Sequence, residues 1–220
     1  MKPHHEHEFE AAPGLPEALP AGEHILWQGS PDWKLLAVDA FHVKRLAIYF
    51  SLMIALQAVM IWDTSIGLLA NLSALSIGAI LATVSLSLLA LTAWLSASTT
   101  MYTITNRRVV MRIGIVLTLT FNLPHRWIKT AQIRDQGRGF GEIALELKGD
   151  DRIAYLHLWP HARAWHISQP QPALRCIANA KEVGTLLYEA WEKRMAEVAA
   201  TPDLHEARIP VRMPDGVFAR

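Results

Sequence analysis

The sequence predicts an α+β membrane protein: a two-helix transmembrane hairpin joined to a small antiparallel β-barrel that one C-terminal α-helix caps. Three observations predict it. From Leu46 to Asn106 the chain carries a single Asp, Glu, Lys, Arg or His, namely Asp63. After Ser98 the apolar residues fall into a period of two, interrupted by Asn, Gly and Asp. From Asn179 onward the period becomes helical.

Residues 1–22 are rich in His, Glu and Pro and read as a flexible tail without a signal-peptide pattern. Their His4, His5, Glu6, His7, Glu8 cluster has metal-binding side chains but no preorganised geometry, so no metal site is expected. Residues 23–45 come next. His24 to Ser30 predicts a short strand, and Pro31 to Arg45 an interfacial helix with Trp33 and His42 near the lipid headgroups.

Residues 46–97 form the hairpin, with spans at about 46–66 and 75–96. Each is near the ~20 residues that cross a ~30 Å hydrocarbon core. Small residues recur every fourth position, Ala47, Ser51 and Ala55 in the first span and Ala79, Thr83 and Ser87 in the second, with Gly78 and Ala82 beside them. Such stripes let helix backbones approach closely, within one hairpin, against a partner's helix or in a homodimer. Asp63 falls at a helix end, where its carboxylate reaches water. Basic residues set the orientation. Lys34, Lys44 and Arg45 precede the spans, Arg107, Arg108 and Arg112 follow them, and Asp63 to Ala74 has no Lys or Arg. Lys44, Arg45, Arg107 and Arg108 are the membrane-flanking set, and both termini are expected in the cytoplasm.

Residues 98–200 carry the water-facing domain. Strands are expected at Met101 to Thr105, Val109 to Ile113, Ile115 to Phe121, Trp127 to Ile133, Glu142 to Lys148 and Arg152 to Leu158, the last two joined by a Gly149-Asp150-Asp151 turn. Asn179 with Glu182 resembles a capping box. Val183, Leu186, Leu187, Ala190, Trp191, Met195 and Val198 then give a helix one apolar face. Residues 201–220 read as an arm laid over the surface. Strands followed by one closing helix is the element order of a pleckstrin-homology (PH) domain.

Composition excludes several function classes. A net charge of +1 is too small for a bulk nucleic-acid binder. The single cysteine, Cys176, rules out an intramolecular disulfide and paired-cysteine zinc sites, and fits a reducing compartment. Metalloprotease, nucleophile-elbow and phosphate-loop signatures are absent, so neither catalytic residues nor a cofactor are expected.

The segment YTITNRRVVMRIGI (Tyr102 to Ile115), with GEHILWQGSPDW (Gly22 to Trp33) ahead of a two-span insertion, resembles the membrane-anchored bacterial PH group. More specifically, LWPHARAWHISQPQPALRCIANA (Leu158 to Ala180) and GLPEALPAGEHILWQGSPDW (Gly14 to Trp33) are similar to the PuhB family of photosynthetic complex assembly proteins of purple bacteria. The resemblance covers roughly Gly14 to Trp191. It implies a non-enzymatic factor in the inner or intracytoplasmic membrane. Its implied partners are reaction-centre subunits and core light-harvesting antenna subunits.

The residues themselves allow three roles for Leu158 to Cys176, one of them the binding of pigment or lipid. Trp159, Pro160, His161, Arg163, Trp165, Pro170, Pro172 and Arg175 combine proline-stiffened backbone with the Trp and Arg side chains that dominate interface energies. They are candidates for docking a partner; alternatively the tryptophans cover the barrel and the prolines shape the crossover to the helix. A second functional reading is recognition of anionic membrane lipid headgroups by Arg107, Arg108, Arg112, Arg126, Lys129, Arg134 and Arg138.

Overall fold

The computed structural model describes residues 14–15, 17–61, 67–137, 139–149 and 153–200. Asp63, the five N-terminal His and Glu residues, Arg138, Asp150, Asp151 and the arm 201–220 lie outside them.

Alternating β-branched and apolar residues build two antiparallel sheets. β1 (Ile25–Gly29), β2 (Met101–Thr105), β3 (Arg108–Ile113) and β4 (Leu119–Pro124) pair in that order, and β5 (Ile128–Gly137), β6 (Phe140–Leu147) and β7 (Ala173–Ala178) form the second sheet. Tyr102, Ile104, Met111, Leu123, Ile143, Leu145, Leu174 and Ile177 from both sheets share one core. The C-terminal helix closes it with Val183 and Leu187.

The expected barrel does not close. Among the described residues no ladder joins the sheets. A 3-10 turn at His125–Trp127 separates β4 from β5. At β7, the Cys176 carbonyl accepts from the Asp32 N–H at 2.9 Å, so a helix start covers the edge that β1 would have to pair with.

Three sequence expectations change here. The described part of the expected strand from Arg152 to Leu158 is not a strand: Tyr155–Leu158 is a single helical turn, and β6 pairs with β5 and β7 instead. β7 went unrecognised because Ala173 to Ile177 is buried on both faces and shows no alternation. β4 starts at Leu119 rather than Ile115, because Gly114 turns the chain at φ 116. A Cβ there would meet the Leu117 carbonyl oxygen at 2.0 Å, so glycine is required.

The expected interfacial helix is shorter and better packed. α1 (Trp33–Asp39) starts at Asp32, whose side chain accepts from Leu35 N–H at 2.9 Å. His42, at φ 54, turns the chain into α2 (Val43–Ile61). α3 (Leu68–Thr99) returns to the sheet. Leu36, Ala37 and Phe41 bury against Ala93 and Ala97 of α3 and Cys176 of β7. Burying Leu36 fully is worth roughly 1.5–3 kcal/mol.

Val43 and Leu89 border that same cluster, and Gln57 meets Gly78, so α2 runs beside the first two thirds of α3. α3 outruns α2 by about ten residues, or ~15 Å, toward the sheet. Gly78 and Ala82 face α2, whereas Ser51, Ala55, Ala79, Thr83 and Ser87 are exposed. The four-residue stripes therefore point outward rather than into the helix pair. Residues 14–15 also leave the expected tail, since Leu15 is buried and Gly14 abuts Met101.

Candidate functional site

Where α3, α1 and the second sheet meet lie two polar clusters, one sealed inside and one open to solvent on the Arg134 side. The first centres on His161, which is 1% exposed. Its Nδ1 lies 2.6 Å from the Tyr102 hydroxyl, and its Nε2 lies 3.0 Å from Thr100 Oγ1 and 3.2 Å from Ser96 Oγ. Thr100 already donates to the Ser96 carbonyl at 2.7 Å. It therefore accepts from His161 Nε2–H, which leaves Nδ1 to accept from the Tyr102 O–H. Burial, reinforced by the Arg175 charge, pushes the His161 pKa down to about 3 and holds the ring neutral. Burial pushes the Tyr102 hydroxyl up.

The second cluster is ionic. Arg175, on β7 and 3% exposed, donates to Asp39 Oδ2 and to the Pro160 carbonyl at 3.1 Å, with Glu142 Oε2 3.7 Å from its Nε. Arg134 of β5 bridges the same carboxylates, at 2.9 Å from Asp39 and 2.6 Å from Glu142. Gln136 adds a third donor to Asp39 at 3.1 Å. Two guanidiniums thus face two carboxylates. Partial burial would raise the Asp39 pKa, but Arg175 and Arg134 outweigh it and hold the carboxyl below its ordinary range. Such a closed network fixes geometry more than it adds stability. It ties α1, β5, β6 and β7 at one point.

Between these anchors the chain leaves the body as a loop. Ala162 and Pro172 form a bridge at its base, Ala173 N–H donates to the His161 carbonyl at 2.8 Å, and Arg163 N–H to the Gln171 carbonyl at 2.9 Å. Above that base Trp165 is 85% exposed, with φ 64, and Ile167 is exposed too. The loop overhangs β5 and β6 and encloses a cavity of about 480 Å³, lined by Gln132, Arg134, Glu142, Arg163 and Trp165 among others.

The eight residues singled out for docking therefore divide. Pro160, His161, Pro172 and Arg175 are enclosed and offer no surface to a partner. Trp165 is exposed, Arg163 and Pro170 are half-buried, and Trp159 keeps one face open while its ring packs edge-on against Phe41 at 4.9 Å. The Trp159–Pro160 peptide is cis.

The membrane-flanking basic set also changes. Lys44 and Arg45 stand exposed on the first turn of α2. Arg107 and Arg108 do not flank α3 in space, because β2 carries the chain a full strand away before they occur. Arg112 does, since it pairs with Met101 at the α3 end of the sheet. Arg108 bonds the buried carboxylate of Glu23 at 2.8 Å, which Thr105 also contacts at 2.8 Å. With Lys129 on Glu146 and Arg134 on two carboxylates, much of the expected headgroup-binding charge is already neutralised.

Sequence reasoning missed Tyr102, Ser96, Thr100, Asp39 and Glu142. One signal was available: an arginine inside the apolar run ALRCIA needs a buried counter-charge. Among the described residues, no group of three or more His, Cys, Asp or Glu side chains could hold a metal ion.

The bacterial PH domain family matches residues 48–191. An uncharacterized 23.7 kDa protein in the puhA 5′ region of Rhodobacter capsulatus is 40% identical over 201 residues, spanning 90% of this chain and 94% of the relative. A crystal structure of a DUF1696-family protein with a pleckstrin-homology domain from Shewanella loihica PV-4 is 12% identical, covers 42% of this chain and 71% of its own, and has a TM-score of 0.29, too low to bear on the fold. On the first two similarities, the chain belongs to the bacterial PH domain family.

Proposed function

We propose that this chain is a non-enzymatic assembly factor for the bacterial photosynthetic reaction centre and its core light-harvesting complex, acting as a bilayer-held scaffold that docks subunits. The observation that carries this reading is the relative from the puhA 5′ region, which aligns with 90% of the chain. The PuhB-like segments Gly14 to Trp33 and Leu158 to Ala180 support it.

Membrane attachment is assigned to α2 and α3, which are long and apolar enough to cross a bilayer and are almost wholly unburied. The 19 residues of α2 span ~28 Å, close to a ~30 Å hydrocarbon core. The part of α3 beyond Leu89 then stands clear of that core, under α1. The reading that both termini lie on the cytoplasmic side of the inner or intracytoplasmic membrane draws support from Lys44, Arg45 and Arg112 at the domain end and from the lack of Lys or Arg between Asp63 and Ala74.

Docking is assigned to the exposed part of the loop, Trp165 and Ile167 with Trp159 and Arg163. Trp165 lines the cavity over β5 and β6 yet leaves most of its ring in solvent on left-handed backbone, which supports a partner as what covers it. Anchoring in the same bilayer as the subunits makes weak contacts effectively intramolecular. The strongly shifted groups, His161 and Cys176, are sealed from any substrate, which supports a role without catalysis. The test is a mild-detergent pull-down of the full chain from cells assembling photosynthetic complexes. Reaction-centre or antenna subunits should be recovered; recovery of neither contradicts the proposal.

A further inference from the structure

Three apolar side chains stand in a row at the tip of the turn between β3 and β4. Ile115, Val116 and Leu117 follow Gly114, and Val116 and Leu117 are 91% and 81% exposed. From Ile113 to Phe121 there is no charged residue. Turn tips ordinarily carry Gly, Pro, Asn, Asp or Ser, and an exposed apolar cluster marks a surface that something covers.

Strand register says which way the tip points. β2 begins two residues after α3 ends, and its first residue, Met101, pairs with Arg112 near the end of β3. Ile113 pairs with Leu119 one step further on. The tip therefore lies at the end of the sheet where α3 enters, while Asn106 and Arg107 turn the chain at the opposite end. β3 also touches α3. From Arg112 to Val116 four extended residues would span ~13 Å, and the turn at Gly114 keeps the tip short of that. The exposed indole of Trp94 lies ~8 Å before Thr99 along the helix axis. The tip can thus come down to the level of Trp94, a residue type that favours the membrane–water boundary.

We infer that the Ile115-Val116-Leu117 tip enters the interfacial layer of the bilayer that α2 and α3 cross, as a third apolar attachment. The inference rests on the reading of α2 and α3 as membrane-spanning. Lipid is the occupant because the tip projects on the same side as the helix pair and carries no charge or hydrogen-bonding pattern for a protein surface to read. Three attachments fix the tilt of a domain that two closely packed helices alone would leave free to rock, and so fix how the loop around Trp165 meets a neighbour.

The test uses the full chain in liposomes with a nitrobenzoxadiazole label at one introduced cysteine and nitroxide lipids that carry the spin label either near the headgroup, for the tip, or mid-way along the acyl chain, for α3. Cys176, fully buried, takes no label, which the unsubstituted chain checks. Leu81→Cys, mid-way along α3, reports the membrane reading; Arg107→Cys, at the far end of the sheet, reports bulk solvent; Val116→Cys reports the tip. Val116→Cys should be quenched as clearly as Leu81→Cys while Arg107→Cys stays unquenched. Quenching at Leu81→Cys with none at Val116→Cys would overturn the inference, hand the tip to a protein partner and leave the membrane reading standing. No quenching at either position would overturn both.

Discussion

The stretch from Leu158 to Cys176 contains two regions made from the same residue types with opposite fates. At its ends, Pro160, His161, Pro172 and Arg175 are locked into the body by the His161 and Arg175 networks; in its middle, Trp165 and Ile167 stand in solvent. The difference lies in partners, not in composition. His161 finds Tyr102, Thr100 and Ser96 at hydrogen-bond distance, and Arg175 finds Asp39 and Pro160. Trp165 finds no such enclosure. A buried frame holding an exposed loop at a fixed angle is what a docking scaffold requires, because the ordering cost is met before the partner arrives.

Substitutions separate the two regions by size of effect. Arg175→Met should be the most damaging, since it leaves Asp39 and Glu142 with Arg134 as their shared cation. Removing one partner of a buried pair costs about 3–5 kcal/mol, and the partial exposure of Asp39 favours the lower end. Thermal unfolding in detergent would read this as a large drop in midpoint.

His161→Phe comes next, at about 1–3 kcal/mol for leaving the Tyr102 and Thr100 groups unpaired. It carries a pH signature. The ring titrates near the ordinary 6.5 when unfolded and at about 3 when folded, so between those values the unfolded chain binds the extra proton. His161 therefore contributes fully above pH 6.5, and its contribution is lost as pH falls toward 3. Asp39, whose carboxyl is lowered, adds a loss that begins only near its ordinary 3.8. The parent protein should lose stability steadily from pH 6.5 to 4, and His161→Phe should be flatter there. Equal slopes would show that His161 is not held neutral.

The loop should behave otherwise. Trp165→Ala should move stability by less than ~0.5 kcal/mol. Trp165→Gly should be neutral or slightly stabilising, because glycine adopts φ 64 without a side-chain penalty. A loss near that of Arg175→Met would mean that Trp165 is part of the frame.

What could be read from the residues follows from how local each signal is. The charge gap from Leu46 to Asn106 and the helical period after Asn179 are one-dimensional patterns, and they located α2, α3 and the C-terminal helix. The ends of α2 and α3 moved by several residues. The last helix starts right after Asn179, whose carbonyl accepts from Val183 N–H at 3.0 Å, although its φ of 52 is not the extended backbone of a capping box. β7 was hidden because a strand buried on both faces shows no alternation, and Pro170 and Pro172 just ahead of it read as loop. The His161 and Arg175 networks were illegible for a different reason. Tyr102 and Asp39 sit 59 and 136 positions from the side chains they bond, Glu142 lies 33 positions from the Arg175 guanidinium it faces, and Asp39 looked like one more charge on a solvated helix. Arg107 and Arg108 stand close to α3 along the chain but a full strand from it in space, which only the β2–β3 pairing reveals.

The most direct test is co-purification from cells assembling photosynthetic complexes, comparing the parent chain with Trp165→Ala combined with Ile167→Ala. The amount of this protein should be unchanged while the reaction-centre and antenna subunits recovered with it fall severalfold. Undiminished recovery, or loss of the protein itself in step with the subunits, would contradict the division between buried frame and exposed docking loop.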